Sequence, residues 1–276
     1  MPARIAYLGP AGTNSEEAVL LYDSNAQRIP FPSVSAVAAA VEAGMAEEGI
    51  VAIENSIEGS VTDTLDMLIH DSTLYIKQEL ILPINHHLLV KKGTNANEVK
   101  AIFSHPQALA QCRHFLERCF PKAQLVAAMS TVTAVEEMLS CSTPAAAIAP
   151  KRAATIYNTD ILATDIQDQK SNATRFVVLA KTDHAPTGHD RTSLCFSFND
   201  DRPGLLLGVM SELAKHNVNL SKIESRPTKE SLGRYIFLVD FDGHRKDAVI
   251  AGILERIKAQ TSLFKIFGSY PQYREK

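Results

Sequence analysis

The sequence predicts an α/β protein with two lobes, a cleft between them and a separate βαββαβ unit after the second lobe. Short apolar strands alternate with helical patterns up to Ala180, and the alternation passes through two successive rounds, which favours two lobes built from α/β layers. The polar segment 181–190 contains Pro and Gly and is typical of a linker between domains. We therefore place the first domain at residues 1–181 and the second at residues 191–276.

The first round has clear signals for helix starts and stops. Thr13 and Glu16 have the spacing of a capping box, and Ser33 and Gly44 bound the next helix as cap and stop. The predicted elements are strand 4–8, helix 13–22, helix 33–43, strand 49–53, helix 60–70 and strand 76–80. Alternation of this kind predicts mostly parallel sheets.

The second round repeats the pattern. Pro106 is expected at the first position of a helix whose buried stripe contains Leu109, Cys112, Leu116 and Cys119. The other predicted elements are strands 85–90, 101–103, 124–128, 145–149 and 175–180 and helix 131–139.

The last unit has the ferredoxin-like order of elements. Strands are predicted at 192–198, 218–224, 234–241 and 263–269, and helices at 204–215 and 248–259. Their order along the chain is βαββαβ.

Composition and charge exclude several classes of function. The net charge of −3 and the pI near 6.3 do not favour a nucleic-acid partner. No apolar run reaches the roughly 18 residues of a membrane span, and a strand pattern so near the first residue leaves no room for a signal peptide. The four cysteines form no C-x-x-C pair, so we expect no zinc site, no redox motif and a cytoplasmic location.

Polar clusters at strand-to-helix junctions predict a ligand site. They lie at residues 9–13, 54–60, 104–107, 130–131 and 172–175, and they are rich in hydroxyls and amides. Ligands of open α/β sheets bind beyond the carboxyl ends of strands, where helix N-termini also offer N–H groups. We therefore expect an anion site of neutral donors that would suit a small dicarboxylate.

Other interpretations compete at individual positions. Thr13, Ser33 and Ser60 can serve simply as helix caps. His86 and His87 are expected to be structural, because no third metal ligand has suitable spacing. The sequence also lacks a phosphate-binding P-loop and a G-x-S-x-G nucleophile elbow.

Seven motifs in order resemble those of prephenate dehydratases and cover nearly the whole chain. They are residues 7–13, 54–61 (E-N-S-x-x-G-x-V), 104–107 (S-H-P-Q), 130–131 (S-T), 174–176 (T-R-F), 203–206 and 224–227 (E-S-R-P). The resemblance implies a two-lobed catalytic domain like periplasmic binding proteins and a βαββαβ ACT domain. It also implies a lyase that converts prephenate to phenylpyruvate for phenylalanine biosynthesis. L-Phenylalanine would act as allosteric effector on a homodimer or homotetramer, and no metal or organic cofactor would be needed.

Roles pass to individual residues through the matching motifs. By resemblance Thr174 donates the proton, and the catalytic set is Thr174, Asn55, Ser104 and Gln111. The implied substrate-binding set is Glu54, Ser56, Gln107, Ser130, Thr131, Arg175 and Phe176. Arg175 is expected to pair with a substrate carboxylate, whereas Glu54 either orients Asn55 or is structural.

The resemblance also implies a phenylalanine site in the ACT domain. Its expected residues are Gly204, Leu205, Leu206, Asn219, Leu220, Glu224, Ser225, Arg226 and Pro227. Asn219 and the strand end 224–227 would complete the pocket across a dimer interface. Leu205 departs from the family, which usually has Ala at that position, and the added bulk bears on phenylalanine affinity.

Three alternatives remain at this point. Arogenate dehydratases share the motifs and take an amino group where prephenate has a keto group. A non-aromatising prephenate decarboxylase is disfavoured by Thr174 in an intact T-R-F motif. A non-catalytic amino-acid sensor on the same fold would bind ligand without turnover.

Overall fold

The computed structural model describes residues 2–200, 202–229 and 233–274, and its first lobe is built on a six-stranded sheet. The strand order is β2-β1-β3-β11-β5, with β4 added on β3. The strands are β1 Arg4–Leu8, β2 Gln27–Phe31, β3 Glu48–Asn55, β4 Gly59–Ser60, β5 Tyr75–Pro83 and β11 Ala173–Ala180. The helices are α1 Asn14–Tyr22, α2 Val34–Glu42 and α3 Thr62–Asp66, which continues as one π-helical turn, Met67–Asp71.

The second lobe is a five-stranded sheet with helices packed against it. The strand order is β10-β6-β9-β7-β8. The strands are β6 His87–Val90, β7 Ala101–Ser104, β8 Gln124–Ala127, β9 Ala145–Ala149 and β10 Asp160–Ala163. The helices are the 3₁₀ turn Ala96–Glu98, α4 Pro106–Gln111, α5 Arg113–Cys119, α6 Thr131–Ser140 and α7 Lys151–Tyr157.

The sheets are mixed, so the expectation of mostly parallel sheets is wrong. β11 runs antiparallel to both β3 and β5, and β6 runs antiparallel to β9 and β10. β5 runs toward the second lobe, and β11 brings the chain back after that lobe is complete. A returning strand that inserts beside the departing one must run in the opposite direction.

The local predictions need several corrections. The helix expected from Pro106 is broken at Cys112 into α4 and α5, and Cys119 is exposed and outside the core. The capping box at α1 is half formed: Thr13 accepts from the Glu16 N–H, but the Glu16 carboxylate binds the Gly12 N–H. Five short elements were not predicted: β2, β4, the 3₁₀ turn, α7 and β10. The helix expected from Ser60 begins at Thr62 without a side-chain cap, and Ser60 lies in β4.

The third unit confirms the expected βαββαβ order. Its elements are β12 Asp190–Ser197, α8 Leu205–Lys215, β13 Leu220–Pro227, β14 Tyr235–Asp242, α9 Ala248–Gln260 and β15 Leu263–Pro271. The sheet is antiparallel with the order β13-β14-β12-β15. One face of it packs on α8 and α9.

The other face of this sheet packs on the first lobe in one continuous core. Leu238, Phe267 and Tyr270 of the third unit share this core with Val177 and Leu179 of β11. Alternate residues of a strand point to opposite faces, so the odd-numbered residues of β11 face the third unit and Phe176 faces the other side. Within the described ranges, no helix combines the length and the apolarity needed to span a bilayer.

Candidate active site

A cleft of about 680 Å³ lies between the two lobes, where the polar clusters meet. The starts of α1, α4 and α6 all border it, and the ends of β3 and β11 form part of its wall. Its described lining is Asn14, Ser15, Ala52, Asn55, Glu58, Gly59, Val61, Ile84, His86, His105, Pro106, Gln107, Ala108, Gln111, Met129, Ser130, Thr131, Asn172, Thr174 and Phe176. That lining contains no lysine or arginine, and Glu58 is its one carboxylate. Helix N-termini and neutral donors therefore provide the attraction for an anion.

Asn55 is held in one orientation at the end of β3. Its Oδ1 accepts hydrogen bonds from the backbone N–H groups of Ile57 at 2.9 Å and Glu58 at 3.1 Å. Its Nδ2 must then face the other way, where it donates to Thr174 Oγ1 at 2.9 Å and to Asn172 Oδ1 at 2.8 Å. A local turn thus fixes the amide that contacts the candidate proton donor.

Thr174 presents a hydroxyl whose proton is free for a ligand. The residue is 9% exposed, lines the cleft and accepts from Asn55. Among the described residues, the hydrogen bonds of its Oγ1 include no acceptor for its own proton. The site therefore holds this oxygen by a donor and leaves its O–H available in the cleft.

A chain of side chains carries this arrangement across the cleft to the second lobe. Asn172 Nδ2 donates to Gln111 Oε1 at 3.0 Å, and Gln111 Nε2 donates to Glu58 at 3.3 Å. His86 Nε2 lies 2.8 Å from the same Gln111 Oε1 and must be the donor there, because that oxygen can only accept. Burial lowers the pKa of His86, and the bond with Gln111 offsets this only in part.

The structure brings several predicted site residues together. Thr174, Asn55 and Gln111 of the catalytic set line the cleft, and so do Gln107, Ser130, Thr131 and Phe176 of the substrate-binding set. Their roles stay predictions, supported by this shared location.

Four predicted residues lie outside the lining: Arg175 and the three described first. Ser104 is fully buried and its Oγ donates to the Ile148 carbonyl at 2.7 Å. Ser56 Oγ donates to the Ser171 carbonyl at 3.1 Å and so ties two backbone segments together. Glu54 points toward Lys222 of the third unit, 3.4 Å away. The contacts of these three side chains are structural.

Arg175 is the clearest correction. Its guanidinium lies 2.7 Å from each of Glu79, Asp240 and the Tyr270 hydroxyl, on the opposite face of β11 from Thr174. Burial would lower its pKa, but its interactions with Tyr270, Asp240 and Glu79 raise it instead. Arg175 therefore joins the first lobe to the third unit, and these contacts do not support the prediction that it binds a substrate carboxylate. The reason is the two-residue period of a strand, which turns neighbours to opposite faces.

Several polar residues of the cleft were not assigned to the site from the sequence, among them Glu58, His86 and Asn172. His86 was expected to be purely structural, and Glu58 and Asn172 were quoted inside motifs without roles. The E-N-S-x-x-G turn could have indicated Glu58, since that turn places it beside Asn55. The described residues contain no group of His, Cys, Asp and Glu suited to a metal.

A second cavity of about 530 Å³ lies in the third unit. Gly204, Leu205 and Leu206 at the start of α8 line it together with Phe198 and Phe237. The two phenylalanine rings are 6.0 Å apart and give the cavity an aromatic wall. Backbone N–H groups of the α8 start lie at the same cavity, so it combines apolar and anion-binding surfaces.

The remaining predicted regulatory residues do not line this cavity. Glu224 accepts from Ser60 of the first lobe at 2.5 Å, and Arg226 pairs with Asp66 at 3.1 Å. Asn219 donates to Asp242 at 3.3 Å. Leu220, Ser225 and Pro227 lie on β13 outside the cavity lining. Within one chain, Glu224 and Arg226 therefore hold the third unit against the first lobe.

The fold and the cleft define a two-lobed α/β enzyme for small anions with a C-terminal regulatory unit of the ferredoxin-like type. The family model for prephenate dehydratase matches residues 5–184, and the model for the ACT domain matches residues 196–259. The chain belongs to the prephenate dehydratase family, and its enzyme class is a carbon–oxygen lyase.

Relatives and solved structures agree with this membership. The bifunctional chorismate mutase/prephenate dehydratase of Aquifex aeolicus is 40% identical over 98% of this chain and 74% of that protein. The crystal structure of a prephenate dehydratase from Arthrobacter aurescens in complex with L-Phe has a TM-score of 0.91 and 34% identity, covering 98% of this chain and 90% of that one. A structure of GqqA, described as a novel type of quorum quenching acylase, has a TM-score of 0.88 and 28% identity, covering 98% of both chains. The predicted family and fold class are confirmed.

Proposed function

We propose that the protein catalyses the decarboxylating dehydration of prephenate to phenylpyruvate in L-phenylalanine biosynthesis. The observation that carries the proposal is the Thr174 hydroxyl, which Asn55 holds as an acceptor while its proton stays available in the cleft. A catalytic domain at residues 1–181 and an ACT domain at 191–276 are the proposed division of the chain.

The reaction expels water and CO2 together, and aromatisation of the ring supplies the driving force. Thr174 donates its proton to the departing ring hydroxyl as the C–O bond breaks. The C–C bond to the ring carboxylate breaks as well, and its electron pair enters the ring. A threonine hydroxyl is a weak acid, so the transfer must accompany the development of charge on the leaving oxygen. The donor then regains a proton from solvent.

A lining without cationic side chains suits this chemistry. A cation clamped on the ring carboxylate would oppose its departure, and the described lining has neither lysine nor arginine. The α1 and α6 starts can hold the carboxylate that stays on the product, because helix N-termini favour anions without a full charge.

A second candidate function is arogenate dehydration by the same chemistry. The observation that favours it is Glu58, the one carboxylate among the described lining residues, which would attract the ammonium group of arogenate. Comparison of kcat/KM for the two substrates decides between them.

Acylase activity, the description of GqqA, is not what we propose for this chain. An acyl-transfer nucleophile needs a base within hydrogen-bond reach. None of the described hydroxyls that line the cleft is hydrogen-bonded to an imidazole, and Ser130 is bound instead to the Thr133 N–H at 2.9 Å.

Regulation by L-phenylalanine is proposed at the cavity of the third unit. The ligand's ring would pack against Phe198 and Phe237, and its carboxylate would meet the N–H groups at the start of α8. Phenylalanine then favours a less active arrangement by binding it preferentially. A homodimer or homotetramer and a cytoplasmic location belong to the same proposal.

The test is phenylpyruvate release from prephenate by the purified protein, with and without L-phenylalanine. Turnover that L-phenylalanine suppresses supports both the chemistry and the regulation. Turnover that L-phenylalanine does not change supports the enzymatic function but contradicts the proposed regulation. Leu205→Ala is then the first variant to assay for phenylalanine inhibition. Ligand binding without turnover of either prephenate or arogenate would favour a sensor and overturn the proposal.

A further inference from the structure

We propose that Asn172, which no motif assignment gave a role, is a positioning residue that ties the orientation of Thr174 to the opposite lobe. The inference rests on the proposed function, because it concerns the proton that Thr174 donates. Asn172 is 2% exposed, immediately precedes β11 and lines the cleft. It is the only described residue whose side chain is hydrogen-bonded to both Asn55 and Gln111.

The backbone fixes which atoms donate and which accept at the Asn55 end of this hydrogen-bond chain. Two N–H groups of the turn after β3 occupy Asn55 Oδ1, so the Asn55 amide presents Nδ2 to its neighbours. Asn172 must therefore present an acceptor to Asn55, and it does so with Oδ1 at 2.8 Å.

At the Gln111 end of the hydrogen-bond chain, the Glu58 carboxylate and the His86 imidazole fix which atoms donate and which accept. Glu58 can only accept, so it binds Gln111 Nε2, and Gln111 Oε1 is left to face Asn172 and His86. Asn172 must present a donor there, and its Nδ2 lies 3.0 Å away. The position thus requires a side chain that accepts on one side and donates on the other.

This requirement predicts how a carboxyl group would behave at position 172. The ionised form in Asn172→Asp still accepts from Asn55, but it sets one acceptor against another at Gln111 Oε1. The protonated form has the same shape and supplies both an acceptor and an O–H donor, so it restores the original pattern. Activity of this variant should therefore recover as the new carboxyl group takes up a proton.

The other titratable groups around Asn172 are known and stay constant. Glu58 and His86 reach Gln111 directly, and Asp168 binds the backbone of the same region through the Gln111 carbonyl and the His114 N–H. Lys170 is exposed on the preceding loop. Wild type and both variants share these groups, so the pH dependence of the Asn172→Ala ratio reports what their titration contributes without the new carboxyl group. Burial and the nearby Glu58 charge should raise the pKa of the introduced carboxyl group above its usual value.

The experiment measures kcat and KM of the full chain for prephenate against pH, for wild type, Asn172→Asp and Asn172→Ala. At neutral pH we expect Asn172→Asp to lower kcat by about 10²-fold with little change in KM, which is the cost typical of a small misplacement. Its kcat relative to wild type should rise as pH falls, whereas the ratio for Asn172→Ala should be independent of pH. Urea unfolding midpoints at each pH confirm that all three proteins are folded during the assay.

The outcomes separate this inference from the proposed function. The positioning role is overturned if the kcat of Asn172→Asp relative to wild type does not change with pH, or if its kcat at neutral pH equals that of wild type. Neither result contradicts the proposed enzymatic function. A wild-type protein that turns over no prephenate overturns the function itself. If Asn172→Asp does not fold, Gln111→Glu tests the next hydrogen bond, between position 111 and Glu58. Protonation of the introduced carboxyl group restores the donor toward Glu58. The relative kcat of Gln111→Glu should also rise as pH falls, and a flat ratio there counts against the proposal.

Discussion

At the scale of single residues, Thr174 and Arg175 show how neighbours in one motif divide between two tasks. Thr174 faces the cleft and is bound by Asn55, whereas Arg175 faces the third unit and is bound by Glu79 and Asp240. Read from the sequence alone, the T-R-F motif predicts one shared site for Thr174 and Arg175. The strand separates them because its side chains alternate between its two faces.

Thr174→Ala tests the proton donor. Loss of one donor aimed at developing charge typically costs about 3–4 kcal/mol, so we expect kcat to fall by roughly 10² or more with little effect on KM. Steady-state kinetics with prephenate measure both constants. Thr174→Ser keeps the hydroxyl and is the matched control, expected to retain most of the activity. A wild-type kcat in Thr174→Ala would remove this residue from the chemistry.

At the scale of elements, several helices begin at the capping signals that the sequence offers. Ser33 and Ser130 cap α2 and α6 through their hydroxyls, and Pro106 opens α4 at its first position. β2, α7 and β10 lack such signals and were not predicted. The two strands have five and four residues and the helix has seven, which is too short for a clear periodic pattern. The directions of β6 and β11 could not be predicted either, since direction depends on the path between lobes.

Docking of β15 against β5 depends on a glycine. A Cβ at Gly268 would lie 2.3 Å from the Ile76 carbonyl oxygen, which is backbone and cannot move aside. We expect Gly268→Ala to destabilise the protein by about 1–3 kcal/mol or more, the range for forced overpacking. Gly252→Ala in α9 is the control, because its new Cβ meets only the end of the Arg256 side chain. Urea unfolding should show a loss for the first variant and no loss for the second; equal stabilities would refute the close approach.

At the scale of the whole molecule, charged clusters hold the three units together, and two of them are centred on largely buried side chains. The first, already described, surrounds Arg175 between the first lobe and the ACT domain. The second surrounds Glu16 of α1, which binds Arg152 of α7 in the second lobe at 2.8 Å. The active cleft therefore lies between two interfaces whose buried charges specify how the units meet.

Arg175→Met tests whether this residue is structural. Removal of the cation leaves the buried Asp240 without an ion-pair partner and Glu79 with Arg191 alone, and loss of one partner of a buried ion pair typically costs about 3–5 kcal/mol. We expect a large fall in the urea unfolding midpoint. Tyr270→Phe, which removes the hydroxyl that contacts Arg175 at 2.7 Å and Ser193 at 2.5 Å, should cost about 1–3 kcal/mol.

The kinetic half of the same test uses Arg175→Lys, which keeps a charge. If Arg175 acts at the interface, the folded variant should keep the wild-type KM for prephenate. A KM raised by tenfold or more in a variant of near-normal stability would return Arg175 to the substrate site.

The interlobe cluster predicts a dependence of stability on pH. Burial would raise the pKa of Glu16, but hydrogen bonds from Arg152 and the Gly12 N–H, with the Arg152 charge, lower it below the ordinary value of 4.5. A lowered folded-state pKa contributes stability that is complete above the unfolded pKa and is lost as pH falls through the folded one.

Glu16→Gln measures this contribution. The difference in unfolding free energy between wild type and variant should be largest near pH 7 and shrink as pH falls below about 4.5. Glu47→Gln is the matched control: its pair with Arg4 is half exposed, so the variant should differ little from wild type. A Glu16→Gln difference that does not change with pH would show that the carboxylate charge is not what holds the lobes.

The sequence by itself determined the order of elements, the family and the motifs that supply Thr174, Asn55 and Gln111, because periodicity, caps and ordered motifs are local properties of the chain. Only the tertiary structure decided which motif residues share the cleft. Neither Ser104 nor Arg175 lines the cleft, because the burial of a side chain and the face of the strand that it occupies depend on what packs there. Glu58, His86 and Asn172 entered it because hydrogen bonds between segments distant along the chain exist only after the two lobes meet.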